Sequence, residues 1–470
     1  MKKEEEHMDK ALLRMRPREA LLIAVMVVVV MGITMIGFEW VPHLSVIFVL
    51  CGLLVFGKYK KISFKNMQSG MASGVVSGIG AIYLFFFIGL LVSALMMAGS
   101  IPTLIYYGFE LISPKIFYLS AFLLTGIIGM AIGSSLTTCA TLGVAFIGMG
   151  SAFAANPAIV AGAVVSGAFF GDKMSPLSDT TSIAASIVGI DLFEHIRNMM
   201  YTTLPAFVIT AIIFWILSGN LNSADLAGVQ AFKTQLEASG LVHGYTLLPF
   251  FVLLVLAIKK VNAIYTIIAT ILTALLITFI HSSPSISQLG SYFFTGYKPN
   301  EGVDLGEVGK LISRGGINSM FFTQTIVILA LSLGGLLNTL GVLPALLAGV
   351  GHVLTNAGRA TFTVAATSLG INVLIGEQYL SLLLAGNTFK PVYERLGLHP
   401  RNISRTVEDA GTVINPLVPW SVCGVFISNV LGVQVIDYLP YAFFCYLSLT
   451  LTLVFGFTGL TLSKAEEEPT

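Results

Sequence analysis

The residues best able to do chemistry stand in one stretch, Gly167-Ala-Phe-Phe-Gly171-Asp172-Lys173-Met174-Ser175-Pro176-Leu177-Ser178-Asp179-Thr180-Thr181-Ser182. Apolar residues lead into it, and the largely apolar stretch Ile183 to Ile190 leads out. Gly171 and Pro176 cannot both sit in an undisturbed helix, so backbone carbonyls and amides are expected to be freed here. With the carboxylates of Asp172 and Asp179 and the hydroxyls of Ser175, Ser178, Thr180 and Thr181, they make an oxygen-rich set suited to a small hard cation. The competing reading is a polar loop in which Asp172 and Lys173 are solvated and Asp179 caps a helix.

The elements that hold this segment belong in a membrane. Of the 470 residues, 55% are hydrophobic and only 10% charged, whereas a soluble domain carries about 25% charge. The 32 Phe and 16 Met exclude a disordered chain, and a net charge of +1 leaves no footprint for nucleic acid. No charged residue lies between Lys115 and Asp172, from Gly315 to Gly358, or from Ala410 to Ile436. Such continuous runs fit an all-α polytopic protein in a lipid bilayer, since barrel strands would alternate polar and apolar residues.

Helices are expected at Leu21 to Phe38, Val41 to Phe56, Val75 to Ala98, Ile116 to Ile132, Thr137 to Phe153, Ala158 to Phe170 and Tyr201 to Leu217. A second series follows at Thr246 to Ile258, Ala263 to Ile280, Met320 to Leu340, Thr361 to Ile375, Thr412 to Val430 and Tyr438 to Leu460. Pro102 to Ile112 and Gln378 to Leu384 are too short to span and read as re-entrant or interfacial, giving about 10 to 13 crossings. MKKEEEHMDK with Arg14, Arg16 and Arg18 shows no cleavage site after the first apolar run, so that helix is expected to stay as an anchor with the N-terminus cytoplasmic. Lys58, Lys60, Lys61 and Lys65 mark a return to the inside, Gly219 to His243 with its single Lys233 an external linker, and Lys259 and Lys260 the next inner turn.

The halves share punctuation. Gly99, Pro102 and Leu104 match Gly341, Pro344 and Leu346 at a separation of 242 residues; Gly171, Pro176 and Leu177 match Gly411, Pro416 and Leu417 at 240; Leu204-Pro205 matches Leu439-Pro440 at 235. A weaker match joins Gly70 and Ser73 to Gly316 and Ser319 at 246. Separations that fall steadily along the chain are what small deletions in one copy leave. Because the halves begin on opposite sides, the repeat is expected to be inverted, with a site near the midplane where interrupted helices meet. The division is then a cytoplasmic segment 1–18, a first transmembrane repeat 19–218, an external linker 219–243, a second repeat 244–461, and a tail 462–470 with both termini inside. In the second copy Thr412, Val413 and Pro419 replace Asp172, Lys173 and Asp179. Charges needed for the fold alone would be expected in both copies, and a charge at depth costs about 2.5 to 3.5 kcal/mol, so one copy's charges point to function.

GDKMSPLSDTT resembles the signature of the NhaC family of bacterial sodium/proton antiporters. The resemblance covers nearly the whole chain, from the first helix to about Leu460, including Gly411-Thr-Val-Ile-Asn415-Pro416-Leu417-Val-Pro419-Trp420. It implies an ion-transporter superfamily fold with two inverted repeats, interrupted helices and re-entrant hairpins. It also implies a secondary antiporter of the bacterial cell membrane that exchanges sodium for protons and serves pH homeostasis. Sodium and protons are then cargo, with no cofactor, no enzyme activity, and a homodimer allowed. The family also holds a malate-proton for sodium-lactate exchanger, so an organic-anion exchanger coupled to sodium and protons is the alternative, with a small carboxylate as further cargo.

In an antiporter Asp172 or Asp179 would bind sodium and protons in turn, and Lys173 would pair with one of them when sodium is absent. Glu377 is a proton-carrier candidate, weighed against an interfacial surface carboxylate. Asn372, Asn415, Trp420 and Ser421 are the candidate substrate-site residues of the second repeat, the last three as anion donors beside the helix start after Pro416. Glu110 reads as interfacial. Asp191, Glu194, His195 and Arg197 read as a solvated amphipathic face with His195 a pH-sensing candidate. Lys390, Arg395, Arg401 and Arg405 read as a cytoplasmic basic loop, and Cys51, Cys139, Cys423 and Cys445 as packed thiols. An intramembrane GxGD protease is disfavoured because Phe169 stands two residues before Gly171, a channel because no filter loop is present, and a zinc hydrolase because HExxH is absent.

Overall fold

The computed structural model describes residues 12–219, 226–299, 305–350, 354 and 356–465. MKKEEEHMDK and the end of the 462–470 tail lie outside the described residues. Among those described there is no strand, and the lone bridge pairs Leu398 with Lys464. Among the described residues seven helices are long and apolar enough to cross a membrane, or up to eleven if each bent pair is one span.

The first half runs through α1 (Pro17–Gly37), α2 (Pro42–Tyr59), α3 (Phe64–Ser77), α4 (Ile79–Met97), α5 (Ser100–Leu111), α6 (Phe117–Ile132), α7 (Ser135–Ala152), α8 (Pro157–Met174), α9 (Asp179–Val188) and α10 (Leu192–Ser218). Within the expected linker lies α11 (Leu226–Ala238), followed by α12 (Leu248–Ile258), α13 (Ala263–His281), α14 (Ile286–Thr295) and α15 (Gly306–Ile312). The remaining elements are α16 (Ile317–Thr339), α17 (Val342–Val350), α18 (Ala357–Ile375), α19 (Gln378–Arg395), α20 (Arg401–Leu417), α21 (Val422–Leu431), α22 (Val435–Tyr441) and α23 (Phe443–Thr458).

Two expectations are corrected. Gln378 to Leu384 is no short piece, because it opens the 18-residue α19. The run Thr412 to Val430 is not one helix: α20 and α21 meet at a 42° bend. Composition alone hid that break, since the residues across it are all uncharged. Pro419 explains it, because the residue before a proline is pushed toward extended backbone and Val418 adopts it, whereas Asn415 ahead of Pro416 keeps a 3-10 turn. The same physics breaks the first half, where Ser175 ahead of Pro176 is extended and α8 meets α9 at 45°.

Small residues let α8 lie directly on α6. A Cβ on Gly167 would stand 2.3 Å from the Phe122 carbonyl oxygen, and one on Gly171 2.5 Å from that of Gly126. Without hydrocarbon-driven association in lipid, such backbone contact is a main source of packing energy between helices. Beside it, Phe170 packs against Phe207 at 4.3 Å between centroids with the rings tilted by 34°, and meets Phe444 edge-on at 5.6 Å, joining α8 to α10 and α23.

Candidate functional site

Each half presents a tight hairpin tip to a helix break. Gly133 ends α6 and Gly376 ends α18, both left-handed with φ of 71° and 78°. Glycine takes that conformation at little cost, and there is no room for more: a Cβ on Gly133 would meet Leu177 Cβ at 2.6 Å, and one on Gly376 the Trp420 carbonyl at 3.0 Å. Ser134 then accepts from Thr137 N–H, and Glu377 from Leu380 N–H at 2.8 Å, capping the next helix in each half. The tips thus occupy matching positions, Gly133–Ser134 and Gly376–Glu377.

Asp172 is buried at the end of α8 and accepts a 2.7 Å hydrogen bond from the Ser135 hydroxyl. Ser178, not Asp179, caps α9, accepting from Thr181 N–H and lying 3.0 Å from the Thr180 hydroxyl. Asp179 is the first residue of α9 and remains exposed. Asp172, Ser178, Asp179, Thr180 and Glu377 line one cavity of about 660 Å³, with Ser134, Ser135, Thr137 and Lys260. Glu377 is buried there and is no surface carboxylate. Ser175 and Thr181 lie behind the lining: the Ser175 hydroxyl accepts from Leu177 N–H, and the Thr181 hydroxyl donates to the Lys173 carbonyl.

Lys173 pairs with neither first-half aspartate. Its ammonium donates to Asp409 and, at 2.9 Å, to Ser448, with no exposed surface on either charged side chain. Asp409 also accepts from Ser448 at 2.5 Å, from Thr202 at 3.0 Å and from Thr452. Glu408 beside it is fully buried too. Sequence reasoning passed over both acids. The available signal was position, because Glu408-Asp409 stands one residue ahead of Gly411, with Ala410 between, while Asp172-Lys173 directly follows Gly171. The second half therefore carries charge of its own, displaced from the matched positions.

Asn372, Asn415, Trp420 and Ser421 gather at the second tip rather than in the cavity lining. Asn415 donates to Asn372 Oδ1 at 2.7 Å and accepts from Cys423 N–H at 3.1 Å. Asn372 donates to the Gly411 carbonyl, Trp420 Nε1 to that of Val373 at 2.6 Å, and the Ser421 hydroxyl to that of Asn415 at 2.5 Å. These groups fasten α18 to the α20–α21 break.

Three surface readings are corrected. His195 is fully buried with Nδ1 2.8 Å from the Ser404 hydroxyl, because α10 packs its face on α20; Asp191 and Arg197 stay exposed, and Asp191 caps α10. Arg405 is buried as well, with Nη1 donating to the Thr461 hydroxyl at 3.0 Å, while Arg395 is exposed. Cys51 is exposed, and the other three cysteines are buried. Glu110, half exposed, pairs with Lys233 at 3.0 Å.

The family model described as the Na+/H+ antiporter family matches residues 167–460. The Na(+)/H(+) antiporter NhaC of Alkalihalophilus pseudofirmus is 39% identical over 95% of this chain and 96% of its own length. NhaC of Bacillus subtilis is 39% identical over 88% of this chain and 92% of its own length. The Malate-2H(+)/Na(+)-lactate antiporter of Bacillus subtilis is 34% identical over 84% of this chain and 85% of its own length. Matched from the breaking segment of α8 to the end of α23, this multi-pass membrane protein belongs to the Na+/H+ antiporter family.

Proposed function

We propose that the protein is a transporter, not an enzyme, that exchanges sodium ions for protons across the bacterial cytoplasmic membrane by alternating access. The observation that carries this reading is Asp172, buried at a broken helix, facing a cavity whose lining holds three carboxylates and a single lysine, Lys260. Such a lining attracts a cation. Asp172 and Asp179, with the hydroxyls of Ser178 and Thr180, are the cation and proton ligands of this reading, and Glu377 is a second proton acceptor on the opposite tip. Ser175, Thr181 and Lys173 shape the break from behind. Asn372, Asn415, Trp420 and Ser421 hold the second tip in register.

The two halves, 19–218 and 244–461, act in this reading as inverted repeats joined by an external linker, with both termini cytoplasmic. Support comes from left-handed glycines that end corresponding helices at nearly constant separation, Gly99 with Gly341, Gly133 with Gly376, and Gly189 with Gly432.

A second reading adds a small carboxylate as cargo, on the strength of the malate/lactate relative and of Lys260 at the cavity. One experiment separates the two. Purified protein in vesicles is given sodium while internal pH is followed, with and without malate or lactate. Sodium alone moves protons in a pure exchanger; a response that needs the carboxylate establishes the second reading instead.

A further inference from the structure

Among the described residues one buried acid meets no donor in good hydrogen-bond geometry. Glu408 sits on the π-helical turn Glu408–Thr412 of α20, fully buried, and neither carboxylate oxygen accepts a hydrogen bond. The Thr412 hydroxyl on the same turn is also buried and unpartnered. π-turns inside helices recur at functional sites. Here the hydroxyls of Thr180 and Thr412 stand beside Glu408, and the charged groups acting on it are Lys173 and Asp172 of α8.

Neither neighbouring cation is free to neutralise it. Lys173 is held by Asp409 and Ser448, and Arg405, one turn earlier on α20, donates to Thr461. Among the described residues the buried carboxylates are Asp172, Glu377, Glu408 and Asp409, against two buried cations, Lys173 and Arg405. A bare carboxylate out of water costs several kcal/mol unless a charge or hydrogen bonds compensate it. Two carboxylate oxygens and two hydroxyls are the donor set of a small hard cation. Access is provided by Thr180, which lines the cavity and stands beside Glu408 as well.

We propose that Glu408, Thr412 and Thr180 form an inner binding site for a monovalent cation, sodium, behind the Asp172 position. The proposal rests on the sodium/proton reading and adds a second ion position to it. Cations entering the cavity meet Asp172 first and reach Glu408 past Thr180.

Binding of radioactive sodium to the full-length protein, purified in detergent at alkaline pH, tests this. The wild type is expected to bind two sodium ions per chain, and Glu408→Gln and Asp172→Asn one each. Thr412→Val, which removes one ligand and no charge, keeps both ions but weakens one about tenfold; it carries the test if Glu408→Gln does not fold. Wild-type count and affinity in both the Glu408 and Thr412 variants overturn the inner site. So does a wild type with one ion, whether that ion is lost in both acid variants or only in Asp172→Asn; in either case antiport at Asp172 stands. No sodium binding by the wild type removes the antiport reading and the inner site together.

Discussion

Lys173 and Asp409 lie 236 residues apart in the chain and form an ion pair with no solvent exposure on either side. Each comes from the interrupted helix of its own half, so the pair ties the two breaks together. Thr202, Ser448 and Thr452 surround the carboxylate with hydroxyls, which lowers the cost of holding it away from water.

Removing one partner of a buried pair strands the other, at a cost of about 3–5 kcal/mol. Lys173→Met and Asp409→Asn should each lower the unfolding temperature of the detergent-solubilised protein markedly. The double variant should recover part of the loss, because no uncompensated charge remains. Strict additivity of the two single losses would show that the pair is uncoupled.

Asp172→Asn is expected to abolish sodium-driven proton movement in vesicles while leaving the protein inserted. Ser135→Ala removes only the donor to Asp172, and should slow transport about tenfold, the effect of one hydrogen bond to a charged group. Normal exchange by Asp172→Asn, measured with an internal pH dye, would reduce that carboxylate to a structural role.

Gly171→Ala places a methyl against the Gly126 carbonyl and the Met130 amide, where only backbone can give way. Overpacking of this kind costs about 1–3 kcal/mol, so thermal stability and transport should fall together. Gly52→Ala is the control. Nothing lies within 4 Å of its added methyl, and helix propensity favours alanine by about 0.5–1 kcal/mol. Equal melting temperatures for the two variants would contradict the contact between α6 and α8.

Asn415→Ala unpairs Asn372 Oδ1 and Cys423 N–H inside the second tip. Each stranded buried group costs about 1–3 kcal/mol, so the variant should melt early. Sodium affinity of the folded fraction should stay within about threefold of wild type, since Asn415 does not line the cavity. A much larger loss of affinity at unchanged stability would move Asn415 into the ion site.

Much of this was legible in residue order. The break after Met174 follows from Pro176, whereas the second break falls inside the run Thr412 to Val430, expected as one helix although Gly411 pairs with Gly171 and Pro416 with Pro176. Burial of individual charges was not legible. His195 and Arg405 read as surface residues because their immediate neighbours are charged, yet the face each presents is covered by helices about 200 residues away or by the chain near Thr461. Glu408 and Asp409 were passed over because a charge next to other charges looks like the end of a span. Lys173 had two aspartates within six residues, and took neither because α23 and α20 bring Ser448 and Asp409 to its ammonium.

The glycine contact between α6 and α8 also limits how the molecule can move. Sliding α8 by one residue would carry a side chain to the place where Gly167 or Gly171 now meets bare carbonyls, and no side chain fits there. The two helices therefore behave as one solid lever. Any motion that carries Asp172 with α8 must take α6, and the Ser134–Ser135 tip with it, along.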